Sequence, residues 1–305
     1  MLPQINDKFE AFIAPAKSQR SGWFVILGLC LIVLFYLEFM YLFLFLVSLA
    51  AGDTGNMAQD FNGIVELLAN ADTPFSIIVA LGSFLGMLGG VSLAVYVLRE
   101  QSPMSVIGTG PVIKNMLIAA AILGTVSTVG SITALLSFDL VPNIPIGDWL
   151  IWMPLALPLL FVQIAAEEMI FRGYLQQELA ARYKSPLIWL IVPSLVFGSL
   201  HWDPETFGPN AWLIIVSTTL FGIIAADVTA RTGNLGAALG LHFANNFFAL
   251  YITSMQGTLT GLSLYLTPFD ARDTDSVRQL LFMDIGLVFT AYLIYLAVIH
   301  LNRTR

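Results

Sequence analysis

Residues 150–182 read LIWMPLALPLLFVQIAAEEMIFRGYLQQELAAR. The first part of this stretch is apolar enough to enter a bilayer, and a spanning helix takes about 20 such residues. It then carries Glu167, Glu168 and Arg172. Ionisable groups at membrane depth are costly, so they face a partner or a cavity and work there. The stretch therefore predicts a membrane protein with its chemistry inside the membrane. Pro154 and Pro158 predict a break, with the main helix starting near Leu159 and running past the membrane to Arg182.

The rest of the chain fits this reading. It is 57% hydrophobic and 11% charged, with a mean hydropathy of +0.82. Soluble domains are about 45–50% apolar and about 25% charged. Eight apolar segments stand out: 23–51, 75–98, 112–136, 150–182, 187–203, 211–230, 235–254 and 279–301. The fifth is short enough to be tilted or to cross only in part. The first 20 residues are polar and mixed, so the first span itself is expected to direct insertion. With the N-terminus inside, Lys8, Lys17, Arg20, Arg99, Lys114, Arg172, Arg182, Lys184, Arg231, Arg303 and Arg305 fall on the cytoplasmic side or in the inner half. Only Arg272 and Arg278 fall outside, the bias of the positive-inside rule. The expectation is an all-α, polytopic integral membrane protein of about eight transmembrane helices, with both termini cytoplasmic. A single membrane domain over 1–305 holds a core at 150–250, and a prokaryotic source would place it in the plasma (inner) membrane. The net charge of -7 argues against a nucleic-acid partner. Cys30 is alone, which excludes an intrachain disulfide and a cysteine-based zinc site. Gly82, Gly86 and Gly90, and likewise Gly236 and Gly240, form small-residue faces suited to close packing of helices within the chain.

Three motifs carry candidate chemistry. In the first, Glu168 and Arg172 are i, i+4 and can pair as a structural ion pair. Adjacent helical residues diverge by about 100°, so Glu167 points elsewhere and is the candidate base. The second motif runs from Phe197 to His201, which share a face; a lone histidine there also fits a packed, hydrogen-bonded role. In the third, His242 and Asn246 project from one face, with Asn245 nearby. Polar groups on one face of an apolar helix need partners, and hydrogen bonding between helices is the plainer use of them. Together the motifs supply a carboxylate, two imidazoles and a carboxamide. A carboxylate can take a proton from water, and imidazole or amide groups can orient that water or donate to an oxyanion. Those parts suffice to hydrolyse an amide without a covalent intermediate. Glu167, His201 and His242 could instead hold a divalent metal such as zinc, so the cofactor is either such a metal or none. H-E-x-x-H is absent. At a 1.5 Å rise per residue, Glu167 is expected about 12 Å below the outer helix end. His201 falls about 21 Å, and His242 about 10 Å, from the inner ends of their spans. These levels disagree and leave the side of opening undecided.

The order Glu167-Glu168-Met-Ile-Phe-Arg172, Phe197-Gly-Ser-Leu-His201, His242-Phe-Ala-Asn-Asn246 resembles the CPBP family. These are the CAAX proteases and bacteriocin-processing (Abi) proteins, related to type II CAAX prenyl endopeptidases. The resemblance covers about residues 150–250. It implies a glutamate-dependent, eight-helix intramembrane endopeptidase acting on a peptide or membrane-protein substrate within the lipid bilayer. It carries the general base onto Glu167, water or oxyanion contacts onto His201, His242 and Asn246, and supporting roles onto Glu168 and Arg172. It does not decide between a metal and a metal-free, glutamate-activated water. Intramembrane Glu and His residues also serve proton- or ion-coupled transporters, although no inverted repeat is evident. A non-catalytic scaffold or immunity protein is the other alternative.

Overall fold

The structure is a computed structural model that describes residues 6–18 and 21–301, so Arg20, Arg303 and Arg305 lie outside the described residues. The protein is a multi-pass integral membrane protein built almost wholly of helices. A short helix α1 (Asp7–Ile13) precedes the first spanning helix, α2 (Trp23–Ala51). An amphipathic helix α3 (Met57–Asn70) leads to α4 (Pro74–Arg99), and α5 (Val112–Ser137) follows. The motif helix α6 (Ile146–Glu168) continues through a π-helical stretch, Met169–Leu175, into α7 (Gln176–Arg182). Then come α8 (Pro186–Ser199), a single turn α9 (Pro204–Phe207), α10 (Ala211–Thr232) and α11 (Gly236–Phe247). A second π-helical turn, Phe248–Ile252, extends α11, and the described chain ends with α12 (Thr274–Leu301).

Six helical stretches among the described residues are long and apolar enough to cross a membrane. The expected count of about eight is reached only by adding α8 and α11. At 14 and 12 residues these extend roughly 21 and 18 Å, short of the ~30 Å hydrocarbon layer. The expected break at Pro154 and Pro158 does not occur. α6 runs through both prolines. Each removes one hydrogen bond of the helix, but nothing in an apolar surround competes for the rest of the ladder. Starting from Ile146, Glu167 lies about 31 Å along the helix, not 12 Å below its end.

Among the described residues this all-α fold carries one small sheet. Strands β1 (Val141–Pro142), β2 (Thr253–Gln256) and β3 (Tyr265–Asp270) are ordered β1-β3-β2, with β1 antiparallel and β2 parallel to β3. Asn143 ties this cap together, donating from Nδ2 to the carbonyls of Thr260 (2.8 Å) and Ser263 (2.9 Å).

Both glycine faces pack within the chain. A side chain at Gly82 or Gly86 would meet Phe43 or Phe39 of α2, and one at Gly90 would meet the Ile32 backbone. Gly236 and Gly240 bring α11 against the backbone carbonyls of Val112 and Met116 on α5. Gly198 and Gly222 do the same for α8 and α10. With little hydrophobic drive between helices in lipid, such close approach supplies packing energy. It seats α8 on α10 and α11 on α5.

Candidate active site

The site forms where α6 passes from α-helix into the π-helical stretch. Glu167 and Glu168 end the α-helical part, and the wider π turns re-aim everything that follows. Glu168 turns inward. It and Arg172 are both 0% exposed, and Arg172 Nη1 donates to Glu168 Oε1 at 3.0 Å. The guanidinium also lies over the Phe197 ring, 4.5 Å from its centroid, so the second motif braces the first. Glu168 does more than the expected ion pair, because His242 Nδ1 sits 2.7 Å from the same Oε1. With Arg172 fixing the charge on Glu168, His242 Nδ1 is the donor of that bond, and Nε2 is turned the other way.

Nε2 faces Glu167 Oε2 at 3.5 Å, too long for a strong hydrogen bond. Glu167 Oε1 accepts from Gln163 Nε2 at 2.7 Å, and Gln163 Oε1 accepts from Asn246 Nδ2 at 3.2 Å. Asn245 Nδ2 in turn donates to Asn246 Oδ1 at 3.2 Å. One chain of polar contacts thus links Arg172, Glu168, His242, Glu167, Gln163, Asn246 and Asn245 across two helices. Phe197 and Phe221 flank the His242 ring with centroids 6.0 and 5.1 Å away, restricting its rotation.

His201 lies in the turn just past the end of α8. Its Nδ1 is 2.9 Å from the Phe197 carbonyl and can only donate there, which leaves Nε2 as an acceptor. Its ring packs on Phe197 at 4.9 Å. Glu167, His201, His242, Asn245 and Asn246 all line one cavity of about 560 Å³, a size suited to a bound peptide segment. The differing heights expected of these residues therefore do not keep them from one cavity. The far walls come from α10 and α12 and are mainly apolar, among them Leu220, Ile224, Val288 and Phe289. Asp284 also faces this cavity, as does Asp227, which is held by Arg231 and by the Tyr292 hydroxyl at 2.8 Å.

Among the described residues no three His, Cys, Asp or Glu side chains converge closely enough to hold a metal ion. Glu167 and His242 meet, but His201 does not complete a three-ligand set, so the donor set does not fit a bound zinc as arranged.

Gln163 is the site residue that the motifs alone miss. The signal was present: it is a polar residue four before Glu167, on the same face of an apolar helix. Asp284 looks peripheral in the sequence because the last apolar segment starts at 279, but α12 begins at Thr274 and puts it in the third turn. A buried anchor below the site is also unexpected. Arg99 of α4 donates from Nε to Glu178 Oε1 (2.8 Å) and from Nη1 to Gln177 Oε1 (2.8 Å), fastening α4 to α7.

A stretch of 120 residues is 35% identical to YyaK of Bacillus subtilis (strain 168), described as an uncharacterized protein. It covers 38% of this chain and 40% of the length of that relative. Residues 148–248, which hold all three motifs and the whole polar chain from Gln163 to Asn246, match the type II CAAX prenyl endopeptidase Rce1-like family.

Proposed function

We propose that the protein is an intramembrane endopeptidase that hydrolyses a peptide bond of a membrane-associated or CAAX-like substrate, with Glu167 as the base. The observation that carries this reading is the pairing of Glu167 with His242 at the wall of an apolar-sided cavity, backed by the buried Glu168–Arg172 pair. A water seated beside both side chains would give one proton to Glu167 Oε2 and present another to His242 Nε2. Its oxygen attacks the substrate carbonyl carbon. As the tetrahedral oxyanion forms, the second N–H of Asn246 Nδ2 is free to donate to it, the first being spent on Gln163. Asn245 can add a donor. His201 Nε2, an acceptor by its bond to Phe197, does not meet the oxyanion and is suited to accept from a substrate N–H. When the C–N bond breaks, Glu167 returns its proton to the departing amine nitrogen. No covalent intermediate forms, and the steps need no bound cation.

The apolar walls from α10 and α12 suit the side chains of an extended peptide, and the membrane setting suits a substrate held in the bilayer. Both chain ends are assigned to the cytoplasmic side. That assignment rests on exposed lysines such as Lys8, Lys114 and Lys184 and on the acidic loops opposite. Arg99 and Arg172 add nothing to it, because both are buried in ion pairs.

The test compares membrane-protein termini in cells making the native chain or Glu167→Gln at equal levels. New termini found only with the native chain support the proposal and identify the substrate. Identical termini from two well-expressed proteins would overturn it.

A further inference from the structure

A second cavity, of about 500 Å³, lies away from the motifs at the ends of α5, α10 and α12. We propose that it binds a phosphate group, supplied by the headgroup of an anionic phospholipid. One wall is the start of α5, approached through Gly108-Thr109-Gly110-Pro111 with both glycines at positive φ. No side chain caps this 26-residue helix. The amides of Ile113 and Lys114 have no acceptor among the described residues. An uncapped helix start with free amides attracts anions. Lys114 on that turn and Lys8 on α1 line the cavity, and neither ammonium has an acceptor among the described residues. Arg231 adds a third cation, shared with Asp227, against one acid, Asp7.

An independent sign of a missing ligand is Tyr295. It is 0% exposed and contributes to the wall, yet its hydroxyl has no hydrogen-bond partner among the described residues. A buried hydroxyl without a partner is unfavourable, and a phosphate oxygen would accept from it. Ile118, Val298 and Ile299 give the cavity an apolar side that suits an acyl chain. Cationic pockets between helices at a membrane surface are suited to such headgroups.

The purified full chain would be given phosphatidylglycerol, diacylglycerol of the same acyl chains, or inorganic phosphate, with retention read by native mass spectrometry. Phosphatidylglycerol should be retained over diacylglycerol. Lys114→Gln should weaken it about fivefold, and Lys8→Gln similarly. Tyr295→Phe, which removes only the hydroxyl, should also weaken it about fivefold. Lys114→Arg keeps the charge and should keep the lipid, which separates loss of charge from damage to the fold. Lysine-dependent binding of inorganic phosphate that displaces the lipid would support the phosphate site and assign it a soluble source as well. Equal retention of diacylglycerol, retention indifferent to Lys114→Gln, or equal loss in Lys114→Gln and Lys114→Arg would overturn the proposal.

Discussion

Replacing Glu168 by Gln should destabilise the protein strongly, and the size follows from its surroundings. Both members of the pair are wholly buried at 3.0 Å. The change leaves the Arg172 guanidinium enclosed without its paired charge, although the Phe197 ring stays 4.5 Å from it. Removing one partner of a buried ion pair costs about 3–5 kcal/mol. At roughly 2–4 °C per kcal/mol, the apparent melting temperature in detergent should fall by roughly 6–20 °C. Replacing both residues by Met should recover most of that loss, because apolar side chains of similar volume often match a buried pair in stability. It should not recover activity, since His242 Nδ1 would lose its anionic acceptor. Melting curves of the two variants, followed by tryptophan fluorescence, decide the matter. A drop of under about 2 °C for Glu168→Gln, or a double variant less stable than the single one, would refute the reasoning.

Other outcomes follow from the same contacts. Gln163→Leu should cut turnover by roughly tenfold or more while leaving the melting temperature within a few degrees, because Glu167 and Asn246 both lose a partner at a cavity wall; unchanged turnover of the purified variant would remove Gln163 from the site. Asn246→Ala should lower kcat by about 10²–10³ if its free N–H meets the oxyanion, and a loss confined to KM would assign it to binding instead. Gly86→Leu should destabilise by about 1–3 kcal/mol through overpacking on Phe39, read in the same melting assay; a neutral result would mean α2 and α4 can separate at no cost.

Much of the fold is legible because hydropathy is a direct physical signal. The long spans follow from the apolar runs, and the i, i+4 rule brings Glu168 to Arg172. The errors have local causes. Proline carries a helix-breaking penalty in water that a lipid-packed helix avoids, so α6 was expected to start at Leu159 rather than Ile146. Helical propensity does not distinguish α from π turns, so the wide turns after Glu168 and Phe247 leave no mark in the residues. Arg99 reads only as a cytoplasmic or inner-half cation, because a charge count cannot tell a loop residue from one buried against a glutamate. The contact of His242 with Glu168 joins residues 74 positions apart, and no short-range pattern encodes it. Gln163 and Asp284 were accessible to reasoning by helical face, given correct helix starts.

The sharpest experiment uses the substrate identified by terminal profiling, with purified native protein and Glu167→Gln under single-turnover conditions in heavy-oxygen water. Direct attack by water predicts one labelled oxygen in the new C-terminal carboxylate from the native protein, no covalent adduct at any time, and no product from Glu167→Gln despite an unchanged melting temperature. Cleavage by Glu167→Gln at the native rate, or a trapped acyl-protein adduct, would contradict it.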